Sequence, residues 1–171
     1  MLSYKENIPT ILNAVEESGA KKILDVGCAF GKYGLLIREQ YLSKKAESEI
    51  TPIDDMIIDA VEYTKYFYDR PALKNIYNNV YPESMFDMVD IGLFERYDLV
   101  LLIDVVEHYD KDFMKKFLSK INTKVLISTP KETVMYTEKY YGDGHCHISQ
   151  WNKDDFIGKD YSNNLSHIFI V

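Results

Sequence analysis

The chain alternates short apolar runs with segments whose apolar residues recur at helical spacing. Residues 21–26 and 97–106 are the clearest apolar runs, and the second (YDLVLLIDVV) is the most apolar segment of the chain. A nearly continuous apolar run is typical of a parallel strand that is buried on both faces. Further strands are predicted around Val80, over residues 124–129 and over residues 166–171.

Helical segments are predicted between these strands. They lie at about residues 8–18, 32–45, 55–69, 85–94, 112–121 and 154–157. Strands that alternate with helices predict an α/β fold, a doubly wound and mostly parallel sheet of about six strands with helices on both faces. Since the chain after residue 129 is short, we expect a shortened C-terminal end with one closing strand.

The second strand is predicted at residues 50–54, directly before the helix over residues 55–69. Pro52 fits poorly within such a strand, because proline has no N–H to donate to the hydrogen-bond ladder. The helix rests on the spacing of Met56, Ile57, Ala60 and Val61.

Composition and charge limit the class of protein. The chain has 171 residues, of which 46% are hydrophobic and 27% charged, so we expect one globular domain over residues 1–171. Its net charge of −7 disfavours a surface that follows phosphates. It has two cysteines, no apolar run of membrane-spanning length and no signal-peptide core, so we expect a cytoplasmic protein without membrane contact.

The candidate chemistry begins after the first strand. Gly27, Ala29 and Gly31 alternate there, just before a helix, so that a ligand could lie against bare backbone. The glycines do not fit the dinucleotide fingerprint G-x-G-x-x-G in any register. They also miss the phosphate-binding loop, because Gly27 and Gly31 are one residue too close and Tyr33 stands where a Mg²⁺-binding hydroxyl is needed.

The motif Asp25-Val-Gly27-Cys28-Ala29-Phe-Gly31 resembles the first motif, D-x-G-x-G-x-G, of the class I S-adenosylmethionine-dependent methyltransferases. Ala29 replaces the middle glycine, which is the smallest possible departure. The resemblance implies a Rossmann-like fold with S-adenosyl-L-methionine as cofactor. It also implies that the backbone of this turn passes under the methionine part, while Asp25 fixes the loop or the cofactor's amino group. The alternative is an ordinary tight turn.

Two further acidic residues are candidates for the cofactor's nucleoside. A carboxylate at the end of the second strand can accept hydrogen bonds from both ribose hydroxyls, and Asp54 is predicted there. Asp55 is the competing residue, although its position suits a helix cap. The resemblance implies that Glu83, after the weak third strand, reaches the adenine edge; a solvated loop glutamate is the alternative.

The fourth strand ends in Asp104-Val-Val-Glu107-His108. This segment resembles the form D-V-[IV]-E-H, which in the same family borders the transferred methyl group, and it points to the small-molecule-type branch. Asp104 is therefore predicted to contact the cofactor. A capped or salt-bridged strand end is the alternative.

An oxygen or nitrogen acceptor can need a base, and two histidines are candidates. His108 follows the fourth strand and His147 lies in the segment GHCHISQW, which resembles an H-x-S-x-W segment of relatives. Since the consecutive residues His145, Cys146 and His147 cannot all face one tetrahedral ion, no metal site is expected. Trp151 is interpreted as a packing anchor or a pocket wall.

The acceptor is expected to be a small or glycan-like molecule. The chain lacks the [DN]-P-P-[YF] and Pro-Cys motifs of enzymes that methylate DNA bases, and its charge also makes nucleic acid unlikely. We expect the acceptor to be recognised by residues 136–144 or by the N-terminal helix. The alternative is that another chain contributes, either a second copy in a homo-oligomer or a different partner. The alternatives are a non-catalytic cofactor-binding subunit, suggested by the short tail, and a nucleotide-dependent dehydrogenase.

Overall fold

The structure is a computed structural model, and it describes residues 3–47, 56–132 and 146–171. Within these residues the chain forms seven strands: β1 (Lys22–Val26), β2 (Ile57–Val61), β3 (Val80–Tyr81), β4 (Leu99–Ile103), β5 (Lys124–Pro130), β6 (Lys159–Asp160) and β7 (Ser166–Ile170). The α-helices of the same residues are α1 (Ile8–Ser18), α2 (Lys32–Glu47), α3 (Lys65–Tyr68), α4 (Leu73–Ile76), α5 (Met85–Asp90) and α6 (Lys111–Leu118). Single 3-10 turns occur at Lys5–Asn7, Phe94–Arg96, Val106–His108 and Lys153–Asp155.

The strands form one mixed sheet in the order β3-β2-β1-β4-β5-β7-β6. The first five strands in this order are parallel, β7 is antiparallel to β5, and β6 is antiparallel to β7. The predicted doubly wound α/β fold is therefore confirmed. The sheet has seven described strands instead of about six, because the C-terminal end is a β6–β7 hairpin and not a single strand. The two residues of β6 are polar and exposed, so hydropathy gives no signal for them.

The prediction for the second strand is wrong. Residues 57–61, which were predicted to be helical, form β2, and they pair in parallel with β1. The predicted strand at residues 50–54 lies outside the described residues. Asp59 in the middle of β2 is buried, and its carboxylate accepts hydrogen bonds from the Asn79 backbone N–H (2.8 Å) and the Tyr97 hydroxyl (2.6 Å). These partners allow a carboxylate inside a buried strand.

Two apolar cores cover the two faces of the sheet. One core joins β-sheet residues to α5, α6 and the segment around Trp151; it includes Leu24, Val61, Leu102, Phe117, Ile127 and Trp151. The other joins the opposite face to α1, α2 and α4; it includes Ile11, Ile23, Ile37, Ile58, Leu73 and Leu101. Alternate residues of β1 and β4 enter opposite cores, as expected for strands that are buried on both faces.

The connections between the strands indicate where a ligand is expected to bind, at the carboxyl ends of the strands. After β1 the chain builds β2 and β3 on one side, and it then crosses to build β4 and β5 on the other side. In open α/β sheets, ligands bind outside the carboxyl ends of the strands where the direction of winding changes. In this protein that place lies between the ends of β1 and β4. Among the described residues, no helix has the length and apolarity to cross a membrane.

Gly34, in the first turn of α2, lets Tyr77 reach β1. A Cβ atom on Gly34 would overlap the Tyr77 ring. We therefore expect Gly34→Ala to lower the free energy of unfolding by about 1–3 kcal/mol, since overpacking a tight contact forces the ring or the helix to move. Urea unfolding measures this change.

The neighbouring variant Leu35→Ala is a matched control. The Leu35 side chain is 52% exposed, and we expect its replacement to change the free energy of unfolding by less than about 0.5 kcal/mol. Equal stability of Gly34→Ala and wild type would contradict the close contact between Gly34 and Tyr77.

Candidate functional site

The turn after β1 has an unusual backbone. Gly27, Ala29 and Gly31 have φ angles of 73°, 49° and 79°, all in the left-handed region. A non-glycine residue is uncommon there, and such strain is often found at ligand-binding turns. The Gly27 N–H donates to the Val61 carbonyl (2.8 Å), and the Gly31 N–H donates to the Cys28 carbonyl (2.8 Å). The first bond ties the turn, which we call the β1 turn (residues 27–31), to the end of β2, and the second closes the turn on itself.

The two glycines of the β1 turn are needed for different reasons. A Cβ on Gly27 would lie 3.0 Å from the Val105 side chain. A Cβ on Gly31 would lie 2.9 Å from Ile76 and 3.0 Å from Leu73. Gly27 therefore lets Val105 approach the β1 turn while its own backbone stays exposed, whereas Gly31 lets the start of α2 approach α4.

The acidic residue at the end of β2 is Glu62, which the sequence analysis missed. It directly follows Val61, is 5% exposed, and accepts hydrogen bonds from the backbone N–H groups of Ala29 (2.9 Å) and Thr64 (2.8 Å). Asp54, which the sequence analysis placed at this strand end, lies outside the described residues and precedes β2. The signal for Glu62 is an acidic residue directly after the apolar run at residues 56–61.

Asp25 is held inside the protein beneath the β1 turn. Its carboxylate accepts a hydrogen bond from the Tyr77 hydroxyl (2.5 Å) and is also bonded by the Gly34 backbone. Burial raises the pKa of the Asp25 carboxyl to about 6, despite these two hydrogen bonds. These contacts join Asp25 to Tyr77 and to the first turn of α2, and both roles that the resemblance implies for Asp25 stay predictions.

The raised pKa of Asp25 predicts a pH dependence of stability. Its pKa in the folded protein lies above the ordinary value of 3.8, so the folded state binds the proton more tightly than the unfolded state. The resulting stabilisation is fully present below about pH 4 and is lost as the pH rises through about 6. A difference of about two pKa units corresponds to about 3 kcal/mol.

Asp25→Asn removes this titration while it keeps an acceptor for Tyr77. We expect the unfolding free energy of wild type, minus that of Asp25→Asn, to fall by about 3 kcal/mol between pH 4 and pH 8. Urea titrations at several pH values measure the difference, and other carboxylates cancel because both proteins share them. A difference that does not change with pH would contradict the burial of an ionisable Asp25.

Cys28 and Glu83, which were also predicted to bind the cofactor, differ in exposure. Cys28 is buried in the core that includes Tyr33 and Tyr77, and burial raises the pKa of its thiol. Its side chain therefore contributes to packing, and its backbone contributes to the β1 turn. Glu83 is exposed and lies two residues after β3, so it is also near the carboxyl ends of the parallel strands. Its predicted contact with adenine stays a prediction.

Asp104 directly follows β4 and is also strained. Its φ angle is 54°, its N–H donates to the Ser128 carbonyl (2.8 Å), and its carboxylate accepts from the Ser128 hydroxyl (3.4 Å). Burial raises the pKa of Asp104 to about 6, although the nearby Lys32 ammonium opposes this shift. Asp104 and the β1 turn therefore lie at the ends of neighbouring parallel strands.

Glu107, His108 and His147 form a cluster at the same edge, which we call the Glu-His-His cluster. Glu107 and His108 belong to the 3-10 turn after β4, and one potential ligand atom from each of the three residues lies within 4.8 Å of the other two. His147 Nε2 is 4.0 Å from Glu107 Oε1, and the rings of His108 and His147 have centroids 4.9 Å apart. The fold thus brings together the two histidines that the sequence singled out as candidate bases.

Ionisation in the Glu-His-His cluster is strongly affected by burial. The Glu107 side chain is fully buried, and burial beside Asp104 raises the pKa of its carboxyl to about 8. Burial lowers the pKa of His147, which favours the neutral imidazole. Neither carboxylate oxygen of Glu107 makes a hydrogen bond of normal geometry among the described residues, nor does Nδ1 of His147.

Backbone contacts fix the segment that carries His147. The N–H groups of Ile148 (2.9 Å) and Ser149 (3.1 Å) both donate to the Glu107 carbonyl. His108 Nδ1 lies 3.2 Å from the Cys146 carbonyl. Trp151 is fully buried and donates to the Ser149 hydroxyl (3.0 Å), so it anchors this segment. His145 and the predicted recognition loop at residues 136–144 lie outside the described residues.

Comparisons with known proteins agree with this architecture. No protein-family model matches the sequence, and no curated protein sequence matches it significantly. The methyltransferase domain of bacterial CtHen1-C is similar in structure, with a TM-score of 0.60 and 17% identity over 96% of this chain and 95% of that one. Magnesium protoporphyrin IX methyltransferase from Synechocystis PCC 6803 with bound S-adenosylhomocysteine has a TM-score of 0.57 and 10% identity, over 96% of this chain and 80% of that one.

A third solved structure extends the comparison to another protein. The N-terminal domain of EvdMO1, determined in the presence of S-adenosylhomocysteine and D-fucose, has a TM-score of 0.54 and 14% identity, over 98% of this chain and 69% of that one. At these identities the likeness concerns the fold. The chain has the Rossmann-like fold of the class I S-adenosylmethionine-dependent methyltransferases.

Proposed function

We propose that this protein binds S-adenosyl-L-methionine at the carboxyl edge of its sheet and transfers the methyl group to a small-molecule or glycan-like acceptor. The observation that carries the proposal is the meeting of three features at that edge. They are the left-handed β1 turn, the buried carboxylate of Glu62 after β2, and the polar residues that follow β4. The solved neighbours with bound S-adenosylhomocysteine support the choice of cofactor.

The residues of the edge fit the parts of this cofactor. The backbone at Gly27 is exposed and carries no side chain, which suits the methionine part. The Glu62 carboxylate is held by two backbone N–H groups, and its remaining lone pairs suit the two ribose hydroxyls. Glu83, at the end of β3, is proposed to face the adenine.

The residues at the end of β4 are proposed to hold the acceptor next to the transferred methyl group. When bound, the cofactor supplies a methyl group on a sulfonium: the acceptor lone pair forms the new bond to carbon, the C–S electron pair stays on sulfur, and the acceptor proton leaves. Asp104 and the Glu-His-His cluster line the place where the acceptor would stand, and most of the rate gain would come from holding it in line. The acidic net charge is consistent with an acceptor that is not a polyanion.

The alternative is a non-catalytic cofactor-binding subunit, which was suggested by the short tail of the chain. The β6–β7 hairpin, which pairs with β5, favours the catalytic proposal over this alternative. A homo-oligomer or a partner chain that contributes to acceptor recognition remains part of the proposal.

Label transfer tests the proposed activity. The protein is incubated with methyl-labelled S-adenosylmethionine and a panel of hydroxyl and amine acceptors that includes monosaccharides. We expect labelled product with at least one class of small acceptor and none with DNA. Cofactor binding without transfer to any acceptor would instead support the non-catalytic alternative.

A further inference from the structure

We propose that the Glu-His-His cluster is a binding site for a divalent transition-metal ion. The site would consist of one carboxylate (Glu107) and two imidazoles (His108 and His147) on the carboxyl side of β4. The consecutive residues 145–147 cannot all face one ion, so the sequence alone predicts no metal site. The fold uses one residue of that segment and joins it to two residues 39 and 40 positions earlier in the chain.

The donor set matches a known preference of metal ions. One carboxylate and two histidines, with further positions open, suit iron(II) and related ions such as manganese(II) and cobalt(II). All three donors belong to one compact group, since their ligand atoms lie within 4.8 Å of one another. Ligands that bind one ion at about 2.1 Å stand roughly 3–4 Å apart, so small side-chain rotations would bring these atoms into place.

The buried state of Glu107 provides an independent reason for a cation. Both of its oxygens are buried and make no hydrogen bond of normal geometry among the described residues, although the Thr129 hydroxyl lies nearby. A carboxylate in that situation loses its hydration without compensation, which costs several kcal/mol. A bound cation would compensate this loss.

The surroundings of the cluster resemble the outer contacts of metal sites. Histidine ligands commonly donate their second N–H to a carbonyl, which orients the ring and leaves the other nitrogen to coordinate. His108 Nδ1 lies 3.2 Å from the Cys146 carbonyl, in position for such a bond. The N–H groups of Ile148 and Ser149 bind the Glu107 carbonyl, so His147 is held beside Glu107 by backbone.

The role of this ion rests on the proposed methyl transfer. An ion with open positions at the end of β4 would bind an acceptor oxygen and would ease the loss of its proton. The acceptor oxygen would then form the bond to the methyl carbon, its proton would pass to water, and the C–S pair would stay on sulfur. Under this inference the two histidines hold the ion and do not act as bases, and hydroxyl acceptors are favoured over amines.

The test begins with metal binding alone. Protein treated with a chelator is titrated with MnCl₂ in a calorimeter, and CoCl₂ is added to a second sample for its visible absorption spectrum. We expect one Mn²⁺ per chain, and cobalt absorption bands that indicate nitrogen and oxygen ligands. Glu107→Gln, His108→Gln and His147→Gln should each weaken Mn²⁺ binding by at least about tenfold.

Matched controls separate the cluster from other potential ligands. His167→Gln removes an imidazole outside the cluster, and Cys146→Ser removes a thiol next to His147; both should bind Mn²⁺ like wild type. Circular dichroism and thermal unfolding of each variant identify any loss of fold, and the three single variants are independent of one another. Absence of Mn²⁺ binding by wild type, or equal binding by all cluster variants, would overturn the inference.

The same samples distinguish this inference from the proposed function. S-adenosylhomocysteine binding is measured on wild type with and without Mn²⁺. Cofactor binding without metal binding would overturn the metal site and leave the methyltransferase proposal in place. Metal binding without cofactor binding would overturn the methyltransferase proposal alone.

Discussion

Glu62→Gln is expected to weaken the binding of S-adenosylhomocysteine by roughly 30-fold to 1,000-fold. The substitution removes the charge from the two hydrogen bonds that the ribose hydroxyls would donate, and each such bond contributes about 1.5–3 kcal/mol. A loss of about 2–4 kcal/mol corresponds to this range of affinities. Isothermal titration calorimetry measures the change directly.

Asp54→Asn is the control for this prediction, because the sequence alone favours Asp54 for the ribose. It should bind S-adenosylhomocysteine with the affinity of wild type, since Asp54 precedes β2 whereas Glu62 follows it. Glu62→Gln also weakens the hydrogen bonds that the Ala29 and Thr64 N–H groups donate to this side chain. The thermal unfolding of the variant is therefore measured in parallel, to identify any loss of stability. A large effect of Asp54→Asn with none of Glu62→Gln would contradict the assignment.

Gly27→Ala is expected to reduce affinity for S-adenosylhomocysteine by at least about tenfold. The new Cβ would lie 3.0 Å from the Val105 side chain, on the exposed backbone where the methionine part of the cofactor is proposed to lie. It would also place an alanine at a φ angle of 73°, which costs about 1–2 kcal/mol of stability. Affinity and stability therefore both fall in this variant, and a second substitution is needed to separate them.

The double variant Gly27→Ala/Val105→Ala separates the two effects. Shortening Val105 removes the contact with the new Cβ, so part of the stability lost in Gly27→Ala should return. The Cβ remains on the backbone where the methionine part is proposed to lie, so cofactor affinity should stay low. Recovery of affinity together with stability would show that Gly27 matters only for packing.

The sequence predicts the order of strands and helices because most buried strands here are apolar runs. β2 is the exception, and the reason is Asp59. A polar residue among Ile57, Ile58, Ala60 and Val61 gives a helix-like spacing, and only the contacts with Asn79 and Tyr97 explain why it can be buried in a strand. Both partners are distant in sequence, so no local pattern could reveal them. The unsuitable Pro52 was the available sign against placing the second strand at residues 50–54, whereas β2 is formed by Ile57–Val61.

In the candidate site, too, the local motifs were predictable from the sequence, whereas contacts between distant residues were not. The β1 turn and the end of β4 are local motifs, so the sequence predicts where they lie in the fold. Glu62 was missed because it depended on the misplaced strand. The closeness of Glu107 and His147 was not predictable, since it follows from the hydrogen bonds that hold residues 148 and 149 against the Glu107 carbonyl.

The central claim is that the carboxyl edge of this sheet binds a sulfonium cofactor and not a dinucleotide. Thermal unfolding in the presence of S-adenosylhomocysteine tests it most directly, with NAD⁺ as the comparison, because a ligand that binds only the folded state raises its stability. We predict a saturable rise in Tm with S-adenosylhomocysteine and none with NAD⁺. An unchanged Tm with S-adenosylhomocysteine, or a rise with NAD⁺ alone, would contradict the account.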